Sequence, residues 1–207
     1  LEQVQSRDYQ PYPPMFAGEY AQKMQDLLEL YPWEIQLTQL NLLASHDTAR
    51  LMSIAGGDRA SIELCTLLLI TFPGAPSIYY GDEVGLPGAI DPDSRRGFPL
   101  EANWDYKIYE CHRQLVAIRH AHPALRVGDY KVLCAEGTTY VFARILEDEE
   151  LIVAVNVGTV PSKVSIDWAK TGLKTKPNRV IYGNAELNWS EQELEIELPD
   201  RAGCIAV

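Results

Sequence analysis

Residues 39–51 read QLNLLASHDTARL and residues 72–99 read FPGAPSIYYGDEVGLPGAIDPDSRRGFP, with an apolar segment between them. Leu37 to Ala44 is apolar with few charges, the pattern of a parallel strand covered on both faces. Ser77 to Tyr80 predicts a second short strand. Between the two, Asp58 is placed to cap a helix, and Ala60 to Thr71 is apolar nearly all round, so that helix is expected to be buried. Pro73, Gly74 and Pro76 end it. A long loop containing Gly, Pro and Asp follows from Gly81 to Asn103.

Outward from this stretch, Ile108, Cys111, Leu115 and Ile118 form one stripe of a helix from Tyr106 to His122, which Pro123 stops. Strand, helix, strand, helix is the order of a parallel sheet wrapped by helices. Upstream, residues 1–14 carry Pro11, Pro13 and Pro14 and read as an irregular lead-in. Tyr20, Met24, Leu27, Leu28 and Tyr31 then predict an amphipathic helix from Phe16 to Tyr31, limited by Pro32. Downstream of Pro123 the pattern changes to short strands: Tyr140 to Leu146, Leu151 to Val157, Lys163 to Trp168, Arg179 to Tyr182, Leu194 to Leu198 and Cys204 to Val207. Leu194, Ile196 and Leu198 face one way and Glu195 and Glu197 the other. These runs predict an antiparallel sandwich. The division falls at 1–122 and 123–207.

The 207 residues carry 18 basic and 29 acidic side chains, a formal net charge of -11. With no basic surplus to neutralise phosphates, a nucleic-acid partner is not expected. Both halves are acidic, with 9 basic against 16 acidic residues up to His122 and 9 against 13 after it. A solvated, soluble surface is the plain reading of that charge. Cys65, Cys111, Cys134 and Cys204 form no C-x-x-C pair, so cysteine ligation of a metal is not expected. Three of them lie among apolar neighbours in expected helix or strand and read as small buried hydrophobes in a reducing compartment, with a long-range disulfide as the alternative. The apolar run from Ile62 to Phe72 contains Glu63 and stops at Pro73, too short to cross a bilayer. Neither a membrane partner, a metal nor a cofactor is expected.

His46 and Asp47 fall at the carboxyl end of a predicted strand. Alone, such a pair fits a loop hydrogen bond or a cap equally well. One helix later IYYGDEVGLPGAIDPDSRR ends the next strand, which would open both clusters onto one mouth. Tyr79 and Tyr80 suit packing at the strand end better than stacking on a ligand. The adjacent carboxyls Asp82 and Glu83 would point apart on a strand, and are assigned to loop structure or to a supporting place behind the site.

SHDTAR, then GGD, IYYGDE, the GLPG turn and DPDSRR resemble the α-amylase family of glycoside hydrolases, in the neopullulanase, cyclomaltodextrinase and maltogenic amylase branch. PWEIQLTQLNLLASHDTARL extends the match, which covers roughly residues 14–127. The resemblance implies the last strands and helices of an incomplete (β/α)8 barrel followed by a C-terminal β-sandwich, an α/β and then all-β chain. It implies a retaining mechanism with two catalytic carboxyls and a third carboxylate that grips sugar hydroxyls. Asp47 looks like that third carboxylate and His46 like a hydroxyl donor to the same ring. Asp91 and Arg95 resemble the pair that holds this sugar from the opposite side, although Arg95 could equally pair with Asp91 to fix the loop. Leu100 departs from the family, which has an aromatic after the F-P step. The resemblance also implies a cytoplasmic location, with which the lack of clear disulfide pairing agrees.

No G-F-R-x-D-like or E-x-W-like strand end occurs in these residues. The expectation is therefore the C-terminal portion of an α-glucan hydrolase, inactive alone and partnered by an oligosaccharide and by a missing N-terminal part. Exposed sheet edges would favour self-association. A glucan transglycosylase, a sucrose- or trehalose-active relative, and a non-catalytic binding or scaffold member are the alternatives. Trp168 or Trp189 could stack on starch, or simply pack.

Overall fold

A computed structural model describes residues 13–207. Most of the expected irregular lead-in therefore lies outside the described residues. Helix α1 spans Ala17–Leu28, and Glu19 takes the Phe16 backbone N–H at 2.9 Å. It stops three residues before the predicted end because a second short helix, α2 at Trp33–Gln36, caps it: Gln36 Nε2 donates to the Leu27 and Leu28 carbonyls at 2.8 and 3.0 Å. Carbonyls at a helix end otherwise have no partner.

Strands β1 (Leu40–Leu42) and β2 (Ala75–Ser77) pair in parallel, with Leu40 opposite Ala75 and Leu42 opposite Ser77. The second strand lies earlier than Ser77 to Tyr80. Ala75 N donates to Gln39 O at 2.8 Å and Asn41 Nδ2 to Pro73 O at 2.7 Å, which fixes the ladder, whereas Tyr79 O already accepts the Asp82 N–H in a turn. Gly74 between them has φ +111°, and a Cβ there would sit 2.6 Å from Asn41 Nδ2 and 2.7 Å from Gln39 O. Only glycine fits that backbone. The expected coverage of β1 on both faces is not found: Leu40 is 64% and Leu42 48% exposed. Among the described residues these two strands pair only with each other, and the face that carries Leu40 and Leu42 is open while Asn41 between them is partly buried.

Helix α3 spans Leu51–Ile54, and α4, Arg59–Thr71, begins where Asp58 accepts the Ala60 N–H at 3.2 Å. Helix α5, Tyr106–Ala121, is capped by Asp105 on the N–H groups of Lys107 and Ile108. Pro123 ends it and opens α6, Pro123–Val127, as proline at a first helical position can.

The remainder is β3 (Asp129–Glu136), β4 (Thr139–Leu146), β5 (Glu149–Asn156), β6 (Ser162–Asp167), α7 (Trp168–Thr171), β7 (Val180–Gly183), β8 (Glu186–Trp189), β9 (Glu193–Leu198) and β10 (Ala202–Ala206). One sheet has the order β3-β4-β5-β10-β7 and the other β6-β9-β8, all antiparallel. The sequence reading omits β3 and β8. A register shift between Val132 and Cys134 interrupts the alternation of β3, and β8 has four residues. The alternation in β9 is as predicted, with Leu194, Ile196 and Leu198 buried.

The five-stranded sheet is covered twice. One face meets the three-stranded sheet through Val141, Ile152, Ala154, Ile166, Leu194 and Ile196. Its other face meets the helices: Ala21, Leu67, Ile70 and Leu115 share a core with Phe142, Val153, Val155 and Ile205. Double coverage explains why β4 and β5 are continuously apolar rather than alternating. Buried Arg144 stitches the layers, donating to the Thr71, Leu125 and Gly128 carbonyls at 2.6, 3.0 and 2.8 Å. Burial lowers its guanidinium to about 9. All four cysteines are free. Trp168 is buried edge-to-face against Trp189, whose Nε1 donates to Pro177 O, so both tryptophans pack.

Candidate active site

The turn after β1 is built by its own hydroxyls. Thr48 Oγ1 accepts the Ser45 N–H at 2.9 Å and Ser45 Oγ accepts the Asp47 N–H at 3.2 Å. This turn lifts His46 and Asp47 off the strand end, with 63% and 72% of their side chains in solvent. Their functional atoms are neighbours, His46 Nε2 lying 3.3 Å from Asp47 Oδ2.

The second loop comes to meet them. A tight helical turn at 93–95 directs Arg95 back over the turn after β1, where its Nε is 2.9 Å from Asp91 Oδ1 and 3.3 Å from the His46 carbonyl. Its Nη2 is 3.7 Å from Asp47 Oδ1. Ser94, fully buried, adds a hydrogen bond from Oγ to His46 O at 3.3 Å. Thus the four residues singled out in the sequence, His46, Asp47, Asp91 and Arg95, form one cluster although 44 positions separate Asp47 from Asp91. Exposed ion pairs of this kind contribute little to stability. Two carboxylates, an imidazole and a guanidinium held together at the surface do suit a polyhydroxylated ligand, which needs donors and acceptors side by side.

Beneath the cluster lies a residue whose part the sequence reading did not identify. Arg50 closes the SHDTAR run and is fully buried. Its Nε donates to Ser94 O at 2.7 Å, and its Nη1 donates to Tyr80 O and lies 3.5 Å from Asp82 Oδ1. The guanidinium carbon sits 4.1 and 4.4 Å from the Tyr79 and Tyr80 ring centres. One side chain therefore ties the end of β1 to the end of β2 and to the loop of Asp91 and Arg95. Its backbone N–H, bonded to Gly88 O at 3.0 Å, adds the GLPG turn. The tyrosines pack on a cation, in keeping with a packing role. Asp82 and Glu83 serve the loop, Glu83 by accepting the Gly81 N–H at 2.6 Å. Burial pushes the Asp82 carboxyl up to about 6, while the Arg50 charge pulls it back.

Among the described residues no group of three or more His, Cys, Asp or Glu side chains is placed to hold a metal. No described helix is long and apolar enough to cross a membrane.

Comparison with known proteins matches residues 5–112 to the α-amylase catalytic domain and residues 128–206 to the α-amylase C-terminal domain. A cyclomaltodextrinase of Geobacillus thermopakistaniensis (strain MAS1) is 37% identical over 145 residues, covering 69% of this chain and 25% of the relative. Neopullulanase 2 of Thermoactinomyces vulgaris is 34% identical over 149 residues, or 70% of this chain and 26% of the relative. Among solved structures, the native debranching enzyme of Nostoc punctiforme superposes with a TM-score of 0.93 at 67% identity, over 99% of this chain and 43% of that one. The chain thus spans about a quarter of these curated relatives and under half of the debranching enzyme chain.

Proposed function

Because the chain belongs to the α-amylase family by both its catalytic and its C-terminal domain, we propose that it is the C-terminal portion of a retaining α-glucan hydrolase acting on starch-derived oligosaccharides. Residues 1–122 contribute the end of the catalytic barrel and residues 123–207 the sandwich. Asp47 accepts hydrogen bonds from hydroxyls beside the reacting carbon, and these strengthen as positive charge develops on the flattening ring. His46 donates to the same sugar. Asp91 and Arg95 hold it from the other loop, and Arg95 supplies fixed positive charge close to both carboxylates.

The observation that carries this reading is the bridge made by Arg95, 2.9 Å from Asp91 and 3.7 Å from Asp47. It joins acidic groups from two strand ends, at the face where barrels of this kind bind substrate. The nucleophile and the proton donor come from chain outside these 207 residues. Leu40 and Leu42, exposed at β1, suit contact with those further strands. The free cysteines suit a reducing compartment such as the cytoplasm.

Titration with maltotriose tests the site. Asp47→Asn and Arg95→Ala are each expected to weaken binding at least about tenfold, as loss of a charged hydrogen-bond partner does. Unchanged affinity in both variants refutes the assignment. No turnover of a chromogenic maltoside is expected from this chain alone, since two of three carboxyls are missing; measurable turnover overturns that part.

A further inference from the structure

Each of the two site loops ends at an aspartate that opens a helix. The loop after β1, which carries His46 and Asp47, runs into Asp58 at the start of α4. The loop after β2, which carries Asp91 and Arg95, runs into Asp105 at the start of α5. Both aspartates are held by an arginine from another element. Arg59, the first residue of α4, pairs with Asp105, and Arg201, from the hairpin between β9 and β10, pairs with Asp58. Arg201 Nη2 also donates to Ser61 Oγ at 2.5 Å, and Ser61 Oγ donates on to Asp58 Oδ2 at 2.8 Å. The last hairpin of the sandwich therefore grips the cap of the helix into which the Asp47 loop leads.

Arg201 does so from an unfavourable backbone. It is the third residue of the hairpin loop 199–201 and has φ +47°. Glycine usually fills that left-handed position, because a side chain there costs free energy. Stability does not account for the arrangement: with 32% of the Arg201 and 40% of the Asp58 side chain in solvent, an ion pair of this kind contributes little. A strained residue whose contact adds little stability is the kind found at functional positions.

The path from Asp58 to the site is short and hydrogen-bonded. Asp58 N donates to Ala55 O at 3.1 Å, Ala55 N to Leu51 O at 2.9 Å and Ile54 N to Arg50 O at 3.0 Å. Arg50, three residues after Asp47, donates in turn to Ser94 O, next to Arg95. Along the way Ser53 Oγ accepts the Gly88 N–H at 2.9 Å, which fastens the same segment to the second loop. Between α3 and α4 the chain turns at Gly56 and Gly57, with φ +62° and +81°. Glycine leaves such a turn free to change, so its far end needs an anchor.

We propose that Arg201 is a positioning residue for the sugar site: by anchoring Asp58 it fixes the far end of this turn and keeps the Asp47 loop in register with the loop of Asp91 and Arg95. This rests on the function proposed above. Without the anchor the chain divides between matched and mismatched loop arrangements, and apparent affinity falls with the matched fraction.

Calorimetric titration of the full chain with maltotriose tests this in wild type, Arg201→Gly, Arg201→Lys, Asp58→Asn and Arg95→Ala, with a urea midpoint for each. Glycine removes the guanidinium while relieving the left-handed backbone, and asparagine caps a helix as well as aspartate does. Neither substitution should lower the midpoint. Arg201→Gly is expected to weaken maltotriose about fivefold and Arg201→Lys about twofold. Adding Asp58→Asn to Arg201→Gly should cost nothing more. Wild-type affinity in Arg201→Gly, additive losses in the double variant, a loss that Arg201→Lys does not lessen, or one that comes with a lowered midpoint, overturns the proposal and leaves the Arg95 assignment standing. Failure of wild type to bind, or wild-type affinity in Arg95→Ala, overturns that assignment and the role of Arg201 with it.

Discussion

Arg50→Met is the perturbation that most directly probes how the site is assembled. The substitution keeps an unbranched side chain of similar length but removes the donors to Ser94 O and Tyr80 O and the cation 3.5 Å from Asp82. It leaves a carboxylate that is only 6% exposed without its partner. Breaking one side of a buried pair typically costs about 3–5 kcal/mol, chiefly through the uncompensated charge. About 4 kcal/mol is expected at pH 8, which lowers a urea midpoint by about 2 M for a slope near 2 kcal/mol per M. Part of the loss should be recovered at pH 5, where Asp82 is protonated. The decisive measurement is the cycle with Asp82→Asn. Arg50→Met, Asp82→Asn should be more stable than the sum of the single losses predicts, by more than about 1 kcal/mol. Additivity within about 0.5 kcal/mol, or a loss below about 1 kcal/mol in Arg50→Met alone, would refute the pairing.

Asp82 also makes stability depend on pH. Its folded value of about 6 lies above the ordinary 3.8, so the folded state holds the proton more tightly. That contribution is complete below the unfolded value and is lost as pH rises through about 6, a change of about 3 kcal/mol. Urea titrations from pH 3.5 to 7.5 should therefore show a smaller decline for Asp82→Asn than for wild type, and identical profiles would contradict the burial effect. A second expectation concerns the exposed strand β1. Light scattering at micromolar concentration should detect self-association, relieved by Leu40→Lys, Leu42→Lys, since charge on an open edge opposes pairing; a monomeric wild type would count against it.

The sequence was readable where local chemistry decides. Asp58 and Pro123 marked helix boundaries correctly, and the strict alternation of Leu194, Ile196 and Leu198 marked a half-buried strand. DPDSRR and SHDTAR stood out as strings, so the four candidate sugar contacts could be named before any distance was known. β3 escaped because its register shift interrupts the period, and the coverage of β1 was misjudged because an apolar run does not say what lies beside it.

What the sequence by itself determined is therefore the order of the longer helices and of six sandwich strands, the family and the identity of the candidate groups, all properties of short segments. The tertiary structure decided how those groups stand to one another. Arg95 reaches Asp47 only because the β2 loop folds back over the β1 turn, and Arg50 holds that arrangement through carbonyls 30 and 44 residues away. A buried guanidinium must find acceptors wherever the fold presents them, and no local pattern encodes which carbonyls those are. The helices and the five-stranded sheet share one core for the same reason: Leu67 and Val153 belong to it although 86 positions of sequence separate them, an association fixed by packing rather than by either residue's neighbours.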